Sequence, residues 1–354
     1  MTASFTILLM IILGIESSCD ETAAAVLEDD RRLLANIVNS QIDLHGIYGG
    51  VVPELASRKH LEDIYPVVEQ ALRQAGLTLD QVDGLAITQG PGLIGSLLVG
   101  LSFAKALSLV KKIPYVGVDH MAGHLVSVFL GENKPAFPYI ALIASGGHSS
   151  IFYVTDYLHY RLVGRTRDDA AGEAFDKVAK LLDLPYPGGP VISSLSRNGD
   201  PAAISFPRSW LEPDSLDFSF SGIKTSVANY VKQNQHSSPG GAGKKRSARE
   251  TADICASFQE AVVEVLATKT IKAARSFQVQ NVVLAGGVAA NPRLREVFRQ
   301  QGDRQGFNVF MPPPQFCTDN AAMIALAGYH LFRQQAVTTL DMDVYSRSPL
   351  TEGA

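Results

Sequence analysis

The segment His120-Met121-Ala122-Gly123-His124 puts two imidazoles four residues apart, directly after a short apolar run. On a helix, positions i and i+4 share a face, so both rings can reach one metal ion. A lone histidine is more often a hydrogen-bonded polar residue than a ligand, and it is the pairing that points to a metal. A third ligand is then required. Asp319, in Cys317-Thr318-Asp319-Asn320 at the start of a helical pattern, is the candidate, although taken alone it reads as a helix N-cap. The histidine pair also invites a zinc-peptidase reading. That chemistry needs a glutamate beside the first histidine as general base, and Met121 stands there instead.

A second signal comes from glycine turns. Ser145-Gly146-Gly147 and Gly286-Gly287 each follow an apolar run. Glycine lets backbone N–H groups approach a phosphate closely. Either turn alone is an ordinary α/β loop; the two together, in two half-repeats, suggest a nucleotide between two lobes. No G-x-x-x-x-G-K-[ST] or G-x-G-x-x-G stretch opens a helix in the right context, so neither a P-loop nor a dinucleotide fingerprint is indicated.

The elements that carry these residues alternate short apolar runs with helical patterns, the α/β signature. Ile11 to Ile15, Ala23 to Leu27 and Leu33 to Val38 read as successive strands, followed by a helix from Pro53 to Ala75. A strand at Gly84 to Thr88, a helix at Gly95 to Val110 and a strand at Pro114 to Val118 come next. The pattern restarts with strands at Tyr139 to Ser145 and Ser150 to Val154. A helix at Thr251 to Phe277, a strand at Asn281 to Leu284 and a helix at Asn291 to Gln300 follow, the last begun by Asn-Pro, a cap and a first-turn residue. Thr318 to Phe332 reads as a final amphipathic helix returning to the first lobe.

At 354 residues two lobes are expected. The net charge of −4 gives the chain no general attraction for nucleic acid, so RNA must meet a local basic patch or partner subunits. Gln235 to Arg249 reads as a polar inserted loop. Its Lys244, Lys245, Arg246 and Arg249 are either solvated or in contact with RNA. Cys19, Cys255 and Cys317 are scattered and odd in number, which argues for a reducing compartment and against a disulfide framework. Phe5 to Ile15 is too short to span a bilayer and lacks a signal peptide's basic start and cleavage site, so it reads as a first strand with a short leader, Met10 being an equal candidate start. A cytoplasmic protein without a membrane segment is expected.

At these residues the sequence resembles the universal tRNA threonylcarbamoyladenosine transferase family, once labelled glycoprotease-like. The resemblance runs through nearly the whole chain. It is carried by the stretches Gly14 to Thr22, Val52 to Arg58, Gly90-Pro91-Gly92, His120 to His124 and Ser145 to His148. Gly172 to Lys177, Tyr186 to Gly189, Phe218 to Gly222, Gly286 to Asn291 and Thr318-Asp319-Asn320 continue it. It implies an α/β chain of the two-lobed actin-like, sugar-kinase and heat-shock-ATPase fold with duplicated lobes. The lobes expected are 1–138 plus 320–354, with the metal-binding helix, and 139–319, with the nucleotide and a flexible insertion at 235–249.

The implied reaction transfers a threonylcarbamoyl group from threonylcarbamoyl-AMP to N6 of adenosine 37 in tRNAs reading ANN codons, with release of AMP. The resemblance implies one divalent ion, iron or zinc, on His120, His124 and Asp319. It assigns the substrate to Ile143, Ala144, Ser145, Gly146, Gly147, Asp176, Gly189 and Asn291, with ATP, ADP or AMP as further occupants. Glu16 and Asp20 are candidates for proton transfer, or for organising their loop. The implied partners are tRNA, a same-fold scaffold paralogue and a small ATPase, and a homodimer is compatible with the family. Two features depart from it: the nine residues before Met10 are extra, and Ser193 stands where many relatives carry an acidic residue near the nucleotide. A non-catalytic scaffold and a small-molecule kinase of the same fold are the competing readings. The paired histidines speak against both.

Overall fold

The computed structural model describes residues 9–236 and 246–347. Lys244 and Lys245 of the expected insertion, and the first eight residues of the expected leader, lie outside the described residues. The chain begins with strands β1 (Ile11–Glu16), β2 (Glu21–Glu28) and β3 (Arg32–Ser40), then helices α1 (Ile42–Gly46) and α2 (Pro53–Ala75). Next come β4 (Gly84–Gly90), α3 (Ile94–Lys111), β5 (Tyr115–Asp119) and α4 (His120–Val126). A second series follows with β6 (Tyr139–Ala144), β7 (Ser149–Val154), β8 (Tyr160–Arg165), α5 (Ala171–Leu181), α6 (Gly188–Ser196) and α7 (Ser221–His236). It closes with α8 (Ala248–Ser276), β9 (Asn281–Ala285), α9 (Pro292–Gln305), β10 (Asn308–Phe310) and α10 (Ala321–Arg333).

Two compact units result. The first holds residues 9–41, 51–132 and 319–347, and the second holds 42–50, 133–236 and 246–318. The first sheet has the order β3-β2-β1-β4-β5. Strands β1 to β3 form an antiparallel meander, while β4 and β5 run parallel to β1. The second sheet, β10-β9-β6-β7-β8, repeats that plan strand for strand. The restart at Tyr139 is thus a second copy of one sheet topology.

In the first unit, Ile12, Leu13, Ile15 and Glu16 of β1 are all wholly buried, as expected of a strand covered on both faces. Helix α2 opens with Pro53 in its first turn and ends on Gly76 at φ 69°, whose N–H returns to the last turn. Helix α3 is long and apolar enough to cross a membrane by length and composition alone. Its Leu97, Gly100, Leu101 and Ala104 are nevertheless buried, with Gly100 pressed on Ser17.

Helix α10 lies flush against this sheet because small residues allow it. A Cβ on Gly14 would stand 2.5 Å from the carbonyl oxygen of Ala321 and 2.8 Å from Ala325, and one on Gly328 would strike Ala86. The helix starts at Ala321 rather than at the expected Thr318. Strand β8, helices α5 to α7 and strand β10 were not expected from periodicity. Strand β8 carries a register shift, and α6 starts on Gly188-Gly189-Pro190, which reads as a turn.

Candidate metal centre

The two histidines sit in the first unit where β5 gives way to α4. Asp119 caps that helix, its Oδ1 accepting the N–H groups of Met121 at 2.8 Å and Ala122 at 3.3 Å. The cap starts the helix at His120, so His120 and His124 share a face, with ring centroids 4.7 Å apart and planes at 89°. Gly123 lets α4 approach α10, since a Cβ there would already lie 3.0 Å from Ile324 and 3.1 Å from Met323.

The cap of α10 is Asn320, whose Oδ1 accepts the Met323 N–H at 3.1 Å. The capping role that Asp319 suggests by itself therefore belongs to its neighbour. Asp319 turns instead to the histidines, with Oδ1 3.1 Å from His124 Nε2 and 3.3 Å from His120 Nε2. One ligand atom from each of the three lies within 4.8 Å of the others, so the group can hold a metal ion. Two imidazoles and one carboxylate suit zinc or ferrous iron and leave positions open.

Spacing did not reveal how Glu16 fits in. It ends β1 with a wholly buried side chain, and Oε2 lies 3.0 Å from His120 Nδ1. The Thr88 hydroxyl donates to the same oxygen at 2.6 Å, and the Ser18 N–H donates to Oε1 at 2.5 Å. Burial works to raise the Glu16 carboxyl, but His120 outweighs it and holds the group below the ordinary range. For His120 burial opposes protonation, and the carboxylates of Asp319 and Glu16 prevail and raise it well above the usual imidazole value. Asp319 is held well below its ordinary value, burial again being overcome by the two histidines. His124 moves the other way, lowered chiefly by burial.

Asp20 is half-buried, in the turn between β1 and β2. The neighbouring Glu21 is raised well above the carboxylate range by burial, then by Asp319 and Asp20, and it hydrogen-bonds Asp20. The contact of Glu21 with Asp20 is a carboxylate pairing that spacing alone did not reveal. A third histidine, His60, is wholly buried behind the loop. Its Nε2 lies 3.0 Å from the Cys19 carbonyl and its Nδ1 2.7 Å from the Thr22 hydroxyl. The carbonyl can only accept, so Nε2 carries the proton and Thr22 donates to Nδ1.

The expected substrate residues lie in the second unit: Ile143 to Gly147 and Asn291 lie at or after the C-terminal ends of β6 and β9, the usual ligand edge of an α/β sheet, while Asp176 is on α5 and Gly189 on α6. Ile143 and Ala144 have wholly buried side chains, so only their backbone can meet a ligand. Gly146 and Gly147 are exposed, and a Cβ on either would meet nothing. The first turn of α5 grips this loop: the N–H groups of Gly172 and Glu173 donate to the carbonyls of Ser145 and Gly146, each at 3.1 Å. Ile143 pairs with Ala285, and Gly286, at φ 86°, abuts the Ala144 carbonyl, so the two glycine turns leave adjacent parallel strands.

Asp176 on α5 accepts the Gly188 N–H at 2.7 Å, which ties it to the start of α6, where Gly189 has open space. Asn291 caps α9 through Oδ1, at 2.9 Å from Arg293 N and 3.1 Å from Leu294 N, while its Nδ2 donates to Gln259 at 2.8 Å. Ser193 is half-buried on α6. Of the basic residues considered for RNA, Arg246 pairs with Asp183 at 3.3 Å and Arg249 with Asp253 at 3.2 Å, so both have internal acidic partners.

Comparison with known proteins bears on this arrangement. The sequence profile described as "TsaD: tRNA N6-adenosine threonylcarbamoyltransferase" matches residues 32–326. A protein of that name from Desulfotalea psychrophila is 58% identical over 341 residues, covering 96% of this chain and 98% of the relative. One from Syntrophus aciditrophicus is 54% identical over 342 residues, covering 96% and 98%. Among solved structures, component A of the Acidaminococcus fermentans (R)-2-hydroxyglutaryl-CoA dehydratase is similar at TM-score 0.51 and 16% identity, over 91% of this chain and 98% of that one. Full-length HypF, in a phosphate- and nucleotide-bound form, is similar at TM-score 0.59 and 15% identity, over 92% of this chain and 55% of HypF. These structural likenesses concern the fold alone and, with the repeated sheet, make it the actin-like ATPase fold.

Proposed function

The chain belongs to the tRNA N6-adenosine threonylcarbamoyltransferase family, and we infer that it catalyses the reaction in that name. The threonylcarbamoyl group of threonylcarbamoyl-AMP passes to N6 of adenosine 37 in tRNAs reading ANN codons: a bond forms between N6 and the carbamoyl carbon as the bond to the AMP oxygen breaks, and the proton that N6 loses is released to solvent. The observation that carries the site reading is the convergence of His120, His124 and Asp319 within 4.8 Å. These three would hold one iron or zinc ion. When bound, the ion supplies a Lewis acid for the negative charge that develops as AMP leaves.

The chain's own residues do the rest. The adenine amine is a poor nucleophile, so the donor must be oriented and its leaving group stabilised. The exposed Gly146 and Gly147 of the Ser145-Gly146-Gly147 turn offer backbone N–H groups to a phosphate, while the Ser145 N–H donates to the His148 carbonyl. Asp176, oriented by the Gly188 N–H, is suited to ribose hydroxyls. Gly189 leaves room beside it, and Asn291 completes the nucleotide-facing set at the cap of α9. Glu16, buried and bound to His120, is suited to orienting that ring rather than to moving protons to substrate.

A cytoplasmic enzyme that shares the holding of tRNA with partners fits the overall charge of −4. The partners are a same-fold scaffold paralogue and a small ATPase, or a second copy of the chain. The exposed apolar Leu61 and Tyr65 of α2 and Ile94 and Leu98 of α3 offer a surface for one of them. The test combines purified protein, partners, threonylcarbamoyl-AMP and unmodified ANN-decoding tRNA, beside a double variant His120→Ala, His124→Ala, with modified adenosine read by mass spectrometry. Product from wild type and none from the variant supports the reading. No product from folded, metal-loaded wild type would sink it.

A further inference from the structure

We propose that Glu16 is a positioning residue of the metal centre: its carboxylate holds His120 with the proton on Nδ1, which leaves the Nε2 lone pair for the ion. The inference rests on the metal-centre reading above and adds to it a residue that binds no metal and touches no substrate.

Donors and acceptors around Glu16 decide which His120 nitrogen carries the proton. An ionised carboxylate can only accept hydrogen bonds. Glu16 is wholly buried, so its acceptor sites must be filled by protein groups. Oε1 receives the Ser18 N–H at 2.5 Å, and Oε2 receives the Thr88 hydroxyl at 2.6 Å. The remaining close neighbour of Oε2 is His120 Nδ1 at 3.0 Å. The Ser18 hydroxyl also lies 3.3 Å from Nδ1, but the carboxylate is nearer and can only accept, so a lone pair on Nδ1 would face a buried anion whereas a proton there completes the set. Nδ1 therefore keeps its proton when an ion binds, and Nε2, 3.3 Å from Asp319 Oδ1, is the nitrogen that would give its proton up and serve as the ligand atom.

Two further observations fit. His124, the other imidazole, has no partner for its buried Nδ1 among the described residues, so the ring that Glu16 anchors is the one held from behind. The carboxylates of Glu16 and Asp319 together also offset the two charges of a divalent ion, which a single anionic ligand would leave half-compensated in a buried place. Glu16 closes β1, Thr88 belongs to β4 and His120 opens α4, so the ring orientation is locked by three elements of one unit. Such supporting partners orient a ligand and raise its basicity.

The test uses the full chain and Zn²⁺ alone, with affinity measured by competition with a chromophoric chelator. Glu16→Gln keeps the size but removes the charge and replaces one acceptor by an N–H₂ group. Zinc binding weaker by about 10- to 100-fold is the expected result. A dissociation constant within about twofold of wild type would overturn the proposal, because a merely structural Glu16 would lower the melting temperature and leave zinc affinity alone. If the variant does not fold, long-range ¹H–¹⁵N spectra of zinc-loaded wild type decide instead, with His120 assigned by its loss in His120→Gln. A protonated Nδ1 and a metal-bound Nε2 are expected, and the reverse would refute the proposal. Wild type that holds no zinc removes the metal centre itself and this inference with it, an outcome distinct from intact binding that ignores Glu16.

Discussion

His124 Nε2 and Asp319 Oδ1 stand 3.1 Å apart although 195 positions separate the two residues in the chain. The contact exists because Asn320 takes over the helix cap and α10 presses close enough to the sheet to bring Asp319 to α4. Each of those conditions can be tested separately.

Asp319→Asn leaves the Asn320 cap in place, so α10 still forms and circular dichroism is unchanged. The anionic ligand is gone. Bound metal, measured by elemental analysis after dialysis, falls by at least the ~10- to 100-fold that losing a mere supporting partner costs. The yield of modified adenosine falls with it.

Gly14→Ala attacks the second condition from a distance. Its Cβ would stand 2.5 Å from the Ala321 carbonyl oxygen, backbone that cannot simply rotate away. Overpacking of this kind costs about 1–3 kcal/mol, which a thermal melt detects. Zinc affinity drops as well, because α10 carries Asp319 outward. An unshifted melt would mean that the helix is not seated on β1 as described.

His60 makes stability depend on pH. Burial is the main cause of its lowered value, and its neutral form is the one that Cys19 and Thr22 bind. The unfolded chain, titrating near the ordinary histidine value of about 6.5, then binds more protons than the folded chain as pH falls. The contribution is complete above that value and is lost as pH drops through it toward the lowered folded value. Melting temperature should thus fall more between about pH 7.5 and pH 5.5 for wild type than for His60→Gln. Equal slopes would remove His60 from the account.

The glycines of the second unit separate binding from folding. Gly147→Ala meets open space, so it melts like wild type yet weakens AMP binding, by roughly tenfold or ~1.4 kcal/mol in calorimetry. Gly172→Ala puts a Cβ 2.5 Å from the Ser145 carbonyl oxygen and lowers the melting temperature too. Indifference of AMP binding to Gly147→Ala would take the turn out of the nucleotide site.

Much of this was legible in the sequence, and the reasons differ by element. Helix α2 runs from Pro53 to Ala75 as its apolar spacing and its flanking proline and glycine indicate. The histidine pair was legible because one strand end and one helical repeat fix it locally. Asp319 was half legible: a carboxylate before a helix reads equally as cap or ligand, and only the adjacent Asn320 decides. The role of Glu16 was hidden, since its bond to His120 spans 104 positions and no local pattern encodes it. Helix α6 went unread because Gly188-Gly189-Pro190 signals a turn, while the space that Gly188 needs is set by Phe175 and Ala179 of α5.

The first unit is written in the sequence as separated stretches, with residues 133–318 falling between its histidines and its aspartate. On the ribosome this becomes an order of events. When α4 emerges both imidazoles exist, but the carboxylate that would complete the trio is still untranslated. An ion held by all three would have to wait until α10 has been made and has docked on Gly14 and Ala86. A product truncated before Asp319 would offer histidines that cannot close on an ion, and a bare strip of β1 and β4 that α10 should have covered, the kind of exposed apolar surface that chaperones and proteases act on. Metal loading would then mark a chain translated through α10.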